Sequence, residues 1–142
     1  MRCESIMSKR LYTLAETSST LDAAKLMRDF DIGFIPITNS QGKVVGTLTD
    51  RDIVVRLAAG NGSLAAPIRQ HMTSDVVACK PSDDILKAEN LMRQRRKSRI
   101  VCVDDQGLPV GVVSLSDIAQ HDDASNVGQT LREITRREAH TM

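Results

Sequence analysis

The stretch Gly46-Thr47-Leu48-Thr49-Asp50-Arg51-Asp52-Ile53 decides the reading of this chain, because Gly111-Val112-Val113-Ser114-Leu115-Ser116-Asp117-Ile118 repeats its pattern 65 residues later. Both read Gly-x-x-Thr/Ser-x-x-Asp. Extended outward in the same register, Met7–Ile53 lies over Met72–Ile118 without a gap, and 13 of the 47 positions are identical. Ordinary composition gives about three or four matches by chance. Accidentally aligned amphipathic helices would explain the shared Leu and Ala positions. They would not explain Gln41-Gly42 over Gln106-Gly107, Gly46 over Gly111 and Asp52 over Asp117 in a single frame. The sequence is therefore read as a tandem duplication, with a period too long for a solenoid array.

Each copy shows the same order of elements. In the first, Tyr12-Thr13-Leu14 is β-prone. Ser19 or Thr20 can cap a helix whose apolar face is Leu21, Ala23, Ala24, Leu26, Met27 and Phe30. Gly33 closes that region, Phe34 to Thr38 is strand-like, Asn39 to Gly42 is a turn, and Val44 to Leu48 is a second strand. A second helix spans Asp50 to Ala59 and stops at Gly60-Asn61-Gly62. The second copy gives a strand over Val76 to Cys79, a helix over Ser82 to Arg95, strands over Arg99 to Asp104 and Pro109 to Ser114, and a helix from Ser116 to His121. The expected fold class is α/β (α+β): two tandem β-α-β-β-α repeats about a pseudo-two-fold axis. The expected boundaries are 1–60 for the first repeat, 61–71 for a linker and lead-in helix, 72–121 for the second repeat, and 122–142 for a polar break with a C-terminal helix over Thr130 to Arg137. One repeat is too small for a confident core of its own, so the pair is expected to fold together, with clefts at the junction.

Composition narrows the function classes. The 142 residues are 41% apolar and 26% charged, a globular balance, and 19 basic against 18 acidic side chains leave a formal net charge of +1. Neither nucleic acid nor an anionic membrane is expected as a partner of so balanced a chain. Aromatics are 2%, too few for a base-stacking platform. No segment has the length of a membrane span, and Met1 to Arg10 lacks the apolar core of a secretory signal. Cys3, Cys79 and Cys102 are odd in number, far apart and outside any CxxC. That speaks against a disulfide framework or structural zinc and suits a reducing cytoplasm. His71, His121 and His140 share no ligand spacing, and no Ser or Cys has a local partner base.

The repeated Thr/Ser-x-x-Asp carries the chemistry. Thr49 and Ser114 stand at a strand-to-helix junction, where free N–H groups and the positive dipole end favour an anion. Asp52 and Asp117 lie one turn further on, and a carboxylate can accept from two vicinal sugar hydroxyls. The pair therefore suits a ribose phosphate. The same pattern is also a capping box, whose acid reaches back to the cap N–H. Taken once, capping is the better reading. Its recurrence behind Gly46 and Gly111, which can let a ligand approach the backbone, favours binding, and the two roles are compatible. In the basic run Arg93 to Arg99, Arg93, Arg95 and Arg96 read as dipole-matched cations, whereas Lys97 and Arg99 are better phosphate candidates. Arg51 opposes the dipole in a first helical turn, which suggests a ligand phosphate or a neighbouring acid such as Asp50 as its partner.

These residues resemble the tandem cystathionine-β-synthase-type (CBS) domain pair, or Bateman module, over about Met7 to Ala119. The marks are Ile6-Met7-Ser8 and His71-Met72-Thr73 before each first strand, the middle strands FIPIT and IVCVDDQG, and the two octapeptides quoted above. The resemblance implies a stand-alone regulatory module without catalytic residues, catalytic cofactor or metal. It implies adenosine-containing ligands (AMP, ADP, ATP, NAD, S-adenosylmethionine or cyclic di-AMP across the family) in clefts between the repeats. It assigns Asp52 and Asp117 to the ribose hydroxyls and Thr49 and Ser114 to ribose or phosphate. Gly33, Phe34 and Ile35, with Ser98, Arg99 and Ile100, would line the base pocket beside Tyr12 and Val77. It further implies a homodimer formed through helices, AMP, ATP or NAD as bound ligand, and an unidentified protein effector. Arg99 faces Phe34 in the repeat alignment, and Val101 faces Pro36, so unequal clefts are expected. The competing expectation is a structural dimerisation module with unoccupied clefts.

Overall fold

A computed structural model of the chain describes residues 1–141, with side chains through residue 136. Two units divide it: Tyr12–Val76 with Gln106–Pro109, and Met1–Leu11 with Val77–Asp105 and Val110–Met142. Each holds one three-stranded sheet.

In the unit built around Tyr12–Val76, β1 (Leu14–Ala15) runs parallel to β2 (Phe34–Thr38), and β2 is antiparallel to β3 (Val44–Thr49). Helix α1 (Thr20–Phe30) makes the crossover that parallel strands require. Ser19 caps it, its hydroxyl accepting from Asp22 N at 3.1 Å. Thr20 is buried instead and donates to the Ala66 carbonyl at 3.1 Å. Ala23 and Met27 carry the buried stripe and meet Ile35, Ile37, Leu48 and Ile68 in the core. Leu21 and Phe30, expected on that stripe, are exposed, and the Phe30 ring rests on Tyr12 with centroids 4.6 Å apart. The β2–β3 turn is held by Asn39, whose Oδ1 accepts from the N–H groups of Gln41 and Lys43 at 3.0 Å each. Gly42 takes φ +79°, which a side chain would resist.

The second helix departs from expectation. α2 is one turn, Asp50–Asp52, and continues as a π-helical turn over Ile53–Ala58. The turn opens on three β-branched residues in succession, Ile53-Val54-Val55, which lower α-helix propensity only slightly. The wider turn closes with Ala59 N on Val54 O at 3.0 Å and Gly62 N on Leu57 O at 2.7 Å. Leu57 is buried, while Val54 and Val55 are exposed.

The other unit repeats the plan: β4 (Ala78–Cys79) parallel to β5 (Arg99–Val103), then β6 (Pro109–Ser114), with α3 (Ile85–Arg95) as crossover. Asp84 caps α3 by accepting from Leu86 N at 2.9 Å, so the helix begins later than Ser82. A short α4 (Leu115–Ala119) follows. The C-terminal helix α5 spans Ala124–Thr141, starting six residues before the expected Thr130. The core joins Ile85, Ala88 and Met92 of α3 with Ile100, Val113, Ile118 and Ile134. Cys3 and Ile6 belong to this same core, brought by a 3₁₀ turn at Cys3–Ser5. α1 and α3 both end on a non-glycine residue in the left-handed region, Asp31 at φ 52° and Arg96 at φ 54°. No helix among the described residues is long and apolar enough to cross a membrane.

Candidate functional site

Both octapeptides fold alike. β3 ends at Thr49, whose hydroxyl accepts from Asp52 N at 3.1 Å, and the Asp52 Oδ2 accepts from Thr49 N at 3.0 Å. In the other unit Ser114 Oγ accepts from Asp117 N at 3.2 Å and Asp117 Oδ2 accepts from Ser114 N at 2.9 Å. These are complete reciprocal capping boxes. Each aspartate thus commits one oxygen to its own backbone. The second Asp52 oxygen, Oδ1, lies 3.8 Å from Arg56 Nε, and the Asp52 side chain is 14% exposed. Ser114 Oγ also sits 2.9 Å from Ser116 Oγ.

The loop that precedes each middle strand is tied to the same junction. Asp50 N donates to Gly33 O at 3.2 Å, and Leu115 N donates to Ser98 O at 2.8 Å. A Cβ on Gly33 would stand 3.0 Å from Asp50 Oδ2, so the backbone there passes close under that carboxylate. Phe34 pairs with Thr49 in the β2–β3 ladder. The structure therefore gathers Gly33, Phe34, Thr49, Arg51 and Asp52 in one unit, and Lys97, Ser98, Arg99, Ser114 and Asp117 in the other. Lys97, Ser98 and Arg99 are exposed. The Arg51 side chain is exposed, and its backbone N–H donates to Asp50 Oδ1 at 2.9 Å. Tyr12 and Val77 are half-buried, Tyr12 against Phe30 and Val77 against the core of its unit. Ile35 and Ile100 lie fully inside their respective cores, which leaves only their main chain near the junction.

The repeated glycine is occupied by protein. A Cβ on Gly46 would stand 2.5 Å from Met72 Sδ and 2.9 Å from Thr73 O; on Gly111 it would stand 2.7 Å from Met7 Sδ and 2.9 Å from Ser8 O. Thr47 and Thr73 form an antiparallel bridge, as do Ser8 and Val112. The glycines, read from sequence as openings for a ligand, instead admit the methionine and backbone of each lead-in segment. The Met-Ser and Met-Thr pairs were visible as repeated marks, but nothing local in the sequence showed what they touch.

The three cysteines, distant in sequence, meet in one core. Cys79 and Cys102 are neighbours on the parallel strands β4 and β5. All three are free and buried. Hydrogen bonding of the Cys79 thiol to Cys102 and then Cys3, followed by burial, pushes its ionisation far up; its bond to Cys3 lowers that of Cys3. Among the described residues no group of three or more His, Cys, Asp or Glu could hold a metal ion.

The duplicated three-stranded unit has relatives among known proteins. The CBS domain family profile matches residues 3–59 and 68–123, and the chain belongs to that family. It is 31% identical over 135 residues to the CBS domain-containing protein YhcV of Bacillus subtilis, covering 94% of this chain and 95% of that one. A further matched relative is longer, and the chain spans 26% of it. Among solved structures, the conserved CBS domain protein TA0289 from Thermoplasma acidophilum superposes with TM-score 0.83 at 26% identity over 94% of this chain and 75% of its own. The CBS domain pair of protein MJ0100, solved in complex with 5′-methylthioadenosine and S-adenosyl-L-methionine, superposes with TM-score 0.75 at 28% identity, covering 84% of this chain and 94% of its own.

Proposed function

We propose that this chain is a non-catalytic regulatory module that binds an adenosine-containing ligand, AMP, ATP or NAD, beside each capping box, and acts as a homodimer read by a protein effector. The observation that carries the reading is the duplicated box. In each unit one aspartate holds its strand end through Oδ2; its Oδ1, which in Asp52 stands 3.8 Å from Arg56 Nε, is the acceptor offered to ribose hydroxyls. The adenosine compounds bound by the MJ0100 pair support the ligand class. The mechanism is differential binding: a ligand that prefers one arrangement of the dimer shifts the population toward it.

The two boxes differ in charge. One is flanked by exposed Lys97 and Arg99; the other has Phe34 where Arg99 would stand, and Asp50 close against Gly33. The Ser114–Asp117 box is accordingly assigned the more phosphorylated ligand.

Calorimetric titration with AMP, ATP and NAD tests the proposal. Asn at position 52 or 117 keeps an acceptor for the cap amide but removes the charge. Asp52→Asn and Asp117→Asn are expected to lose ligand affinity by tenfold or more, with the melting temperature almost unchanged. The second reading, a structural dimerisation module without ligand, is favoured by the same closed boxes. No binding by the wild-type protein to any of the three, together with a clear melting loss in Asp52→Ala and Asp117→Ala, would establish it.

A further inference from the structure

Glu89 is a carboxyl group in a core. It sits on α3, 1% exposed, where α5 packs. Its Oε1 accepts from the Thr130 hydroxyl of α5 at 2.6 Å. Thr130 Oγ1 accepts in turn from Arg93 Nη2 at 2.8 Å and Nε at 3.3 Å, with the Asn126 carbonyl 2.9 Å away. Arg93 Nη2 also donates to Asn126 O at 3.4 Å and lies 3.8 Å from Glu89 Oε1. The other oxygen, Glu89 Oε2, is buried without any donor, and so is Oδ2 of Asp122 in the turn between α4 and α5. Each of the two carboxyl groups shifts the ionisation of the other through side-chain hydrogen bonding, Glu89 upward and Asp122 downward. Two ionised carboxylates cannot hydrogen-bond, and orphaned buried oxygens are costly. One proton held between the two carboxyl groups would supply a donor that neither has when both are ionised.

We propose that Glu89 and Asp122 share one proton, and that this proton latches α5 onto α3, so that docking of the C-terminal helix follows pH. The charged and titratable groups around it are Arg93 on α3 and, in the turn, His121 and Asp123. Asp123 is already engaged by Ser125 N at 2.7 Å and Ser125 Oγ at 2.6 Å. From α5 the facing groups are Thr130 and Asn126, while Glu133 and Arg136 pair with each other at 2.7 Å. Burial first, and then the hydrogen bond with Asp122, raises the Glu89 carboxyl above its ordinary range, against the pull of Thr130 and Arg93. The bond from Glu89 lowers Asp122. The raised group stabilises the docked helix fully below the ordinary glutamate value, and that contribution is lost as pH climbs through the folded value. The lowered group contributes above the ordinary aspartate value, and its share is lost as pH falls through its folded value. Docking is therefore tightest between these limits and opens on the alkaline side.

The test is hydrogen-exchange protection of residues 124–136 in the full chain, corrected for intrinsic rates, across about pH 5 to 9. Wild-type protection is expected to fall as pH rises, by up to about tenfold per pH unit over the range where the docked form keeps the proton that the open form has lost. Glu89→Gln should flatten the profile, because its amide oxygen still accepts from Thr130 and its NH₂ donates to Asp122. Asp122→Asn should do the same with the roles reversed, and serves if the first variant folds poorly. A flat wild-type profile, or unchanged slopes in both variants, overturns the latch.

Discussion

Gly46 and Gly111 show what a single missing side chain does here. Each is the point where a methionine sulfur and a carbonyl oxygen cross a strand, and neither neighbour tolerates a Cβ. Gly46→Ala is expected to lower unfolding free energy by about 1–3 kcal/mol in urea denaturation. Adding Met72→Ala should recover only part, because the Thr73 carbonyl remains 2.9 Å from the new carbon. At the boxes, Thr49→Val removes the acceptor of the Asp52 amide and should cost about 1 kcal/mol. Arg99→Ala should weaken ATP at the Ser114–Asp117 box while leaving any affinity for unphosphorylated adenosine nearly unchanged, which calorimetry distinguishes. The Thr49/Asp52 and Ser114/Asp117 pairs were legible because a capping box is local: three residues fix both partners. The methionine contacts were not legible, because a glycine admits a ligand and a side chain equally well and the partner lies far along the chain.

At the scale of elements, the β-α-β-β-α order followed from alternation and helical period, and those signals survive into the structure. The ends of the elements did not follow. Glycine at position 33 suggested a stop for α1, yet the chain reverses two residues earlier, on Asp31. The same device ends α3 on Arg96. A left-handed conformation at a residue with a Cβ is disfavoured by roughly 1 kcal/mol. Asp31→Gly and Arg96→Gly are therefore each expected to raise the unfolding midpoint, by about 0.5–1 kcal/mol of stability, in thermal or denaturant melts. The π-turn after Asp52 was hidden for a related reason. A run of Ile-Val-Val fits a strand, an α-helix or a wider turn, and only the closing bonds from Ala59 and Gly62 distinguish them. Phe30 illustrates the converse: helical spacing placed it on the buried stripe, whereas Tyr12 gives it a surface partner.

At the scale of the whole molecule, the duplication was legible, but the core that residues 1–11 join was not. Lead-in segments carry no periodic signal that names their destination. Residues 1–11 supply Cys3 and Ile6 to the core that also contains α3 and β5. Deleting these residues should destabilise that unit by at least about 3 kcal/mol, the burial of two apolar side chains. The core of Ala23, Ile35, Ile37 and Leu48 should keep its exchange protection, and equal loss in both cores would refute the assignment. Synthesis on the ribosome gives the same arrangement a second meaning. Residues 1–11 are made before the α3, β5 and β6 residues whose core Cys3 and Ile6 join, and the whole of the other unit's main segment lies between them in the chain. Until those residues are made, Cys3 has no core to enter and its thiol stays in water.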